Sequence, residues 1–227
     1  MSKNLFITGT GTDIGKTYVT GLIVKKLKES GRSAGYFKAA MSGNDRAADG
    51  TLIPGDAMFV KAMAGIDQPI ASMCPYVYET AVSPHLAAQL EGNPVRFETV
   101  KRAFEAAAQK VEYLTIEGSG GILCPLSVEE PLQLEDVIRR MGFSCVIVAD
   151  AGLGTINHVG LTAFYMREKK IPVKGIIFNR FHPGDRLQED NLKMCENLTG
   201  LKVLACVAEN DTDLKIDAQA LAALYED

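Results

Sequence analysis

No stretch of the chain approaches the ~20 consecutive apolar residues needed to cross a bilayer. The N-terminal run Met1-Ser2-Lys3-Asn4-Leu5-Phe6-Ile7-Thr8 turns polar and glycine-rich before a signal-peptide core can form. The expected setting is the cytoplasm, with no membrane partner. An excess of positive charge is also missing: Lys plus Arg is 24 against 28 Asp plus Glu, a net charge of −4. That balance offers no electrostatic footprint for duplex DNA or an anionic lipid surface, so no nucleic-acid partner is expected. The 5 cysteines are an odd number, widely spaced and without a C-x-x-C pair. A disulfide framework is thereby excluded in favour of reduced thiols. His85, His158 and His182 are too scattered for a histidine metal site. A G-x-S-x-G elbow is absent, as are the VAIK, HRD and DFG tracts of a protein kinase.

What remains is a chain of 227 residues, 47% hydrophobic and 23% charged. A chain this long buries roughly 70–75% of its unfolded surface without staples. No repeat, low-complexity tract or linker divides it, so residues 1–227 read as a single α/β domain. Short β-rich runs alternate with longer helical patterns throughout. Strands are predicted at Leu5–Thr8, Ala34–Lys38, Tyr113–Glu117, Cys145–Ala149, Val173–Phe178 and Lys202–Cys206. Several are apolar on both faces, as parallel strands covered by helices must be. Helices are predicted at Thr17–Ser30, Asp56–Ala64, Pro84–Leu90, Phe97–Lys110, Leu134–Met141, Asn157–Lys169, Asp185–Leu198 and Asp217–Tyr225. Gly31, Gly142 and Gly200 follow three of them, where a left-handed residue commonly ends a helix. This alternation implies a doubly wound sheet with helices on both faces. Residues 41–55 and 66–83 form long connections, which in a compact α/β domain commonly belong to an active site.

The sharpest feature is Gly9-Thr10-Gly11-Thr12-Asp13-Ile14-Gly15-Lys16-Thr17, directly after the first strand and opening the first helix. Its glycines let backbone N–H groups turn inward around an anion, and the helix adds its positive dipole end. The tract reads as a P-loop, with Gly11 to Thr17 cradling the phosphates of a nucleotide, Lys16 reaching the terminal phosphates and the Thr17 hydroxyl completing Mg²⁺ coordination. It is one residue longer than the usual G-x-x-x-x-G-K-[ST] spacing. Ligands of open parallel sheets sit beyond the carboxyl ends of the strands, which makes Lys38 a second candidate cation. Ser42 follows in the first long loop as a candidate for orienting substrate. A P-loop enzyme also needs carboxylates for its metal, and two apolar strands end in one: Glu117 and Asp150. Spacing does not choose between them. Asp56 opens a helical run and reads either as a further ligand or as an N-cap. Gly152-Leu153-Gly154-Thr155-Ile156-Asn157 forms a second glycine-rich turn into a helix, suited to a substrate carboxylate or to packing on the sheet.

Taken together, these residues resemble the dethiobiotin synthetase family. Thr8 to Thr17 is similar to its T-G-T-x-T-x-x-G-K-T loop, including the extra residue. Further similar tracts occur in the same order: Ala34 to Lys38 with Ser42-Gly43, Gly55-Asp56-Ala57, Ser83-Pro84-His85, Glu117 to Gly121, Gly154 to His158 and Asn179-Arg180. The resemblance implies a P-loop NTPase-like, mostly parallel sheet of about seven strands in a homodimer. It implies closure of the ureido ring of dethiobiotin from 7,8-diaminopelargonic acid, CO₂ and ATP, through a carbamate and a mixed anhydride. Thr17, Asp56 and Glu117 would hold Mg²⁺, and Lys16, Lys38 and Thr12 would act on the phosphoryl group. Thr12, Lys38 and Ser42 would meet the diamine. The residues Gly154, Thr155, Ile156 and Asn157 would hold its carboxylate across the dimer interface, and Asn179 with Glu209 would meet the nucleoside. The sequence departs from the pattern at Asp13, at Ala39 after Lys38, and in Cys206 to Asn210, which lacks a proline-containing base loop. Two rival readings share the nucleotide half: a MinD/ParA-type partner-regulated ATPase and a related ATP-dependent amide ligase. The first carries an extra lysine near the start of its loop, where this chain has Thr10, Gly11 and Thr12.

Overall fold

A computed structural model describes residues 2–226. In chain order the elements are β1 (Lys3–Gly9), α1 (Lys16–Glu29), β2 (Ala34–Lys38), β3 (Ala40–Met41), α2 (Gly55–Ala64), β4 (Tyr76–Val77), α3 (Pro84–Leu90), α4 (Phe97–Ala108) and β5 (Tyr113–Glu117). There follow β6 (Pro125–Ser127), β7 (Leu132–Gln133), α5 (Leu134–Met141), β8 (Cys145–Asp150), α6 (Thr155–Glu168), β9 (Val173–Asn179), α7 (Arg186–Thr199), β10 (Val203–Val207) and α8 (Ala218–Ala222).

The six predicted strands form one parallel sheet in the order β10-β9-β8-β1-β5-β2. Side chains alternate across β1, and the two faces have separate cores. Leu5 and Ile7 pack with Val19, Leu22 and Ile23 of α1 and with Val60 of α2. Phe6 packs on the opposite face with Phe104 of α4 and with Val137 and Ile138 of α5. Val159 of α6 and Cys195 of α7 cover Ile176 and Phe178 of β9. Strands buried on both faces need no polar alternation, which is why they read as apolar runs.

The implied seventh strand is not in this sheet. β2 breaks off at Lys38, and beyond Ala39 only Ala40 and Met41 continue, pairing with Tyr76 and Val77 in a separate two-stranded ladder. The Lys38 N–H still reaches the Met73 carbonyl at 2.8 Å, so the segment runs alongside the sheet edge without sustaining a ladder. Among the described residues, no helix is long and apolar enough to cross a membrane.

The strand order positions the site. The chain leaves central β1 toward the β2 edge, returns to β5 beside β1, and then crosses to β8 on the other side. The carboxyl ends of β2, β5, β1 and β8 therefore open onto one crevice.

Candidate active site

The P-loop spans the crevice. β1 ends at Gly9 and α1 starts at Lys16, with Gly15 in the left-handed region at φ 85°. A Cβ on Gly15 would also fall 2.0 Å from Asn179 Nδ2, so backbone and space both demand glycine there. Asp13 is left-handed too, at φ 58°, a conformation aspartate tolerates better than most residues. Three carbonyls of the loop are held by side chains: Lys16 Nζ donates to Gly11 O (2.6 Å), Arg180 Nη2 to Asp13 O (2.7 Å) and Asn179 Nδ2 to Ile14 O (3.0 Å). The amides from Gly11 to Gly15 find no backbone acceptor among the described residues. Unpaired N–H groups at the mouth of a helix form an anion cradle.

Some helix termini elsewhere are closed by side chains, although α3 also lacks both a side-chain cap and a first-turn acid. Asp185 and Asp217 cap α7 and α8 through their carboxylates, and Gln133 with Asp136 forms a capping box on α5. Neither α1 nor α6 has a side-chain cap or an acidic residue in its first turn; both start at left-handed glycines, Gly15 and Gly154. These two N-termini are left open to negative charge.

Beside the cradle lies a compact polar cluster. Tyr36 and Lys38 share one face of β2, and the register sets Lys38 opposite Glu117 of β5. Lys38 Nζ donates to Glu117 Oε1 at 2.7 Å and to Asp56 Oδ2 at 2.6 Å. Thr17 Oγ1 lies 2.8 Å from Glu117 Oε1 and 3.2 Å from Asp56 Oδ1, and the buried Tyr36 hydroxyl donates to Glu117 Oε2 at 3.0 Å. Asp56 is no N-cap: α2 begins one residue earlier, behind Pro54, which frees the Asp56 carboxylate to turn into the cluster. Burial alone would lower the Lys38 pKa, but Glu117 and Asp56 outweigh it and hold the ammonium above its ordinary value. For Asp56 burial acts upward, and the stronger pull of Lys38 and Thr17 leaves the carboxyl below its usual range. Thr17, Asp56 and Glu117 thus bring hard oxygen donors together, the two carboxylates sharing the Lys38 ammonium. That donor set fits a magnesium-like ion, not a soft transition metal.

The cleft above these groups has a volume of about 950 Å³ and includes Thr12, Lys16, Lys38, Ser42, Asp56 and Glu117 in its lining. Both long loops reach it. The Ser42 hydroxyl donates to Val82 O at 2.6 Å and ties one to the other. Asp150, the other strand-end acid, is committed elsewhere: it accepts from Arg180 Nη1 and from the Gly152 N–H, each at 2.8 Å. Gly154, Thr155, Ile156 and Asn157 stand outside the lining of this cleft, although the buried Thr155 hydroxyl has no partner at the open terminus of α6. Asn179 sits behind the P-loop, and Glu209 is exposed beyond β10, two residues past Val207, which pairs with Asn179. Sequence reasoning assigned nothing to Tyr36 or Arg180. The period-two spacing from Lys38 signals Tyr36, whereas nothing local signals that Arg180 reaches the P-loop.

The AAA domain family model matches residues 3–215. The ATP-dependent dethiobiotin synthetase BioD of Brachyspira hyodysenteriae is 45% identical over 228 residues, covering 100% of both chains. That of Clostridium perfringens is 40% identical over 222 residues, covering 97% of each. Among solved structures, the MinC:MinD cell division complex of Aquifex aeolicus superposes with a TM-score of 0.56 at 11% identity, over 92% of this chain and 82% of that one. A ParA family ATPase from Chlorobium tepidum gives 0.54 at 16% identity, over 92% and 84%. At such identities these likenesses show the P-loop fold alone, and the full-length sequence matches carry the family. The chain belongs to the ATP-dependent dethiobiotin synthetase family, ligases that form C–N bonds in biotin synthesis.

Proposed function

We propose that the chain closes the ureido ring of dethiobiotin on 7,8-diaminopelargonic acid. One amine takes up CO₂ as a carbamate, and a carbamate oxygen attacks the γ-phosphorus of ATP, releasing ADP. The second amine then attacks the carbonyl of the mixed anhydride, expelling phosphate and closing the ring. The observation that carries this reading is the meeting, in one cleft, of an amide cradle, two lysines and the Thr17–Asp56–Glu117 oxygen cluster. Such a site aligns a phosphoryl acceptor and spreads charge, which is most of what phosphoryl transfer requires.

In this reading the amides of Gly11 to Gly15 and Lys16 hold the triphosphate, while Lys38 and Thr12 face the transferring group. Thr17, Asp56 and Glu117 hold Mg²⁺, which when bound neutralises phosphate charge. Thr12, Lys38 and Ser42 meet the diamine end of the substrate, and Asn179 with Glu209 borders the nucleoside. The open terminus of α6, Gly154 to Asn157, serves the cleft of a second copy in a homodimer, capturing the substrate carboxylate. The exposed Leu153 in that turn, with Leu161 and Phe164 further along α6, offers apolar surface suited to a subunit contact.

The deciding assay is ADP release with and without diaminopelargonate plus bicarbonate, with mass detection of the cyclic urea. Diamine-dependent ADP release and the cyclic mass are expected. ATP hydrolysis indifferent to the diamine, without that product, would overturn the reading.

Lys16 adds a prediction on pH. Burial, reinforced by the nearby Lys38 charge, lowers its pKa to about 8. A bound triphosphate favours the charged form and raises it again. Below about pH 7 the free lysine is already protonated, so binding takes up no proton there; at pH 9 it takes up about one. Titrating a non-hydrolysable ATP analogue calorimetrically in two buffers of different ionisation heat measures this, and equal heats at pH 9 would contradict it.

A further inference from the structure

Glu117 is only 1% exposed, and its two carboxylate oxygens face different surroundings. Oε1 meets Thr17 and Lys38 on the cleft side, at 2.8 and 2.7 Å. Oε2 is turned into the protein, where the Tyr36 hydroxyl donates to it at 3.0 Å. Tyr36 has no freedom to leave. Its ring is fully buried in the α1-side core, and both of its backbone polar groups are bound by the Gln68 amide, N–H to Oε1 at 2.8 Å and O from Nε2 at 2.9 Å. A cation entering from the cleft therefore meets Oε1, where it would replace or join Thr17 and Lys38, while Oε2 is held inward on the Tyr36 hydroxyl.

We infer that Tyr36 is a positioning residue that holds Glu117 as a one-oxygen donor and so biases the acidic pocket toward a small octahedral divalent cation over calcium. The chemistry is general: magnesium demands near-ideal octahedral geometry with few protein carboxylates, whereas calcium takes six to eight oxygens and accepts both oxygens of one carboxylate. Outer partners that orient ligating carboxylates commonly change metal affinity by about 10- to 100-fold. The inference rests on the assignment of Thr17, Asp56 and Glu117 as the metal site.

The test is Mn²⁺ binding to the full chain with a non-hydrolysable ATP analogue, followed by electron paramagnetic resonance and competed with Mg²⁺ or Ca²⁺. In Tyr36→Phe the ratio of Mg²⁺ to Ca²⁺ affinity should fall by about tenfold or more. The same substitution placed on Glu117→Gln should leave the ratio where Glu117→Gln alone puts it. A purely structural phenol would lower thermal stability without moving the ratio; a ratio within about twofold of wild type overturns the inference, as does an equal shift in the Glu117→Gln background. Wild-type chain that binds no Mn²⁺ beyond the nucleotide's own share overturns the metal assignment itself, and the inference with it. Should Tyr36→Phe not fold, infrared difference spectra of wild type carrying ¹³C-glutamate decide instead. The wide carboxylate splitting of one-oxygen coordination with Mg²⁺ supports the inference, and the narrow splitting of two-oxygen coordination overturns it.

Discussion

Glu117→Gln is expected to lower kcat by about 10²–10³-fold with the fold intact, while Asp150→Asn stays within about threefold of wild type. Both acids end apolar strands that flank β1, so on pattern alone they are equivalent. Their neighbours separate them. Glu117 is buried with Thr17, Lys38 and Tyr36, and in the proposed reading its negative charge holds the cations that balance phosphate. Its amide analogue keeps the shape and removes that charge. Asp150 forms an ion pair with Arg180, both side chains roughly two-fifths exposed, a class of contact worth about 0–1 kcal/mol. Asparagine there still accepts from the Gly152 N–H. Steady-state rates at saturating ATP, Mg²⁺ and diamine, alongside melting curves for both variants, make the comparison. The opposite ranking would move the metal to the β8 side of the P-loop.

That two equal candidates in the sequence become unequal in the structure shows where legibility ends. The six strands of the sheet were readable because burial on both faces writes itself as uninterrupted apolar runs, and the P-loop because its residues are contiguous. Gly142 and Gly200 end α5 and α7 in the left-handed region, as their positions imply. Strand order is not written locally. Lys38 reaches Glu117 only because β2 lies beside β5, and no pattern within either strand says so. Asp56 was ambiguous for a smaller reason, a single-residue shift in the start of α2. β3, β4, β6 and β7 are two or three residues long and carry no period to read. α8 stops at Ala222, short of Tyr225, because Tyr225 packs against Tyr113 and Glu226 bridges to Asn4 instead of continuing the helix. The turn from Gly154 to Asn157 is open to anions yet outside its own chain's cleft, so its role depends on a surface the single chain does not contain.

Lys38→Met is expected to separate stability from catalysis in one variant. Without the ammonium, Asp56 and Glu117 face each other with only the Lys16 charge nearby to offset them, and breaking a buried pair typically costs 3–5 kcal/mol. Asp56 keeps 38% side-chain exposure, so solvent reduces this to about 2 kcal/mol, or roughly 5 °C in melting temperature for a chain of this size. Saturating Mg²⁺ supplies the missing charge and should recover most of the loss, whereas wild type gains less from the same addition. Turnover should not recover. A cation facing a transferring phosphoryl group is commonly worth about 10³-fold or more, and in the proposed reading that place belongs to Lys38, whereas a metal would be held by the carboxylates. Melting curves in EDTA and in Mg²⁺, set beside single-turnover rates, read the two effects independently. Equal melting temperatures in EDTA for the variant and wild type would show that Lys38 does not neutralise the acidic pair. Near-wild-type single-turnover rates in Mg²⁺ would remove Lys38 from phosphoryl transfer and leave it a purely structural counter-ion.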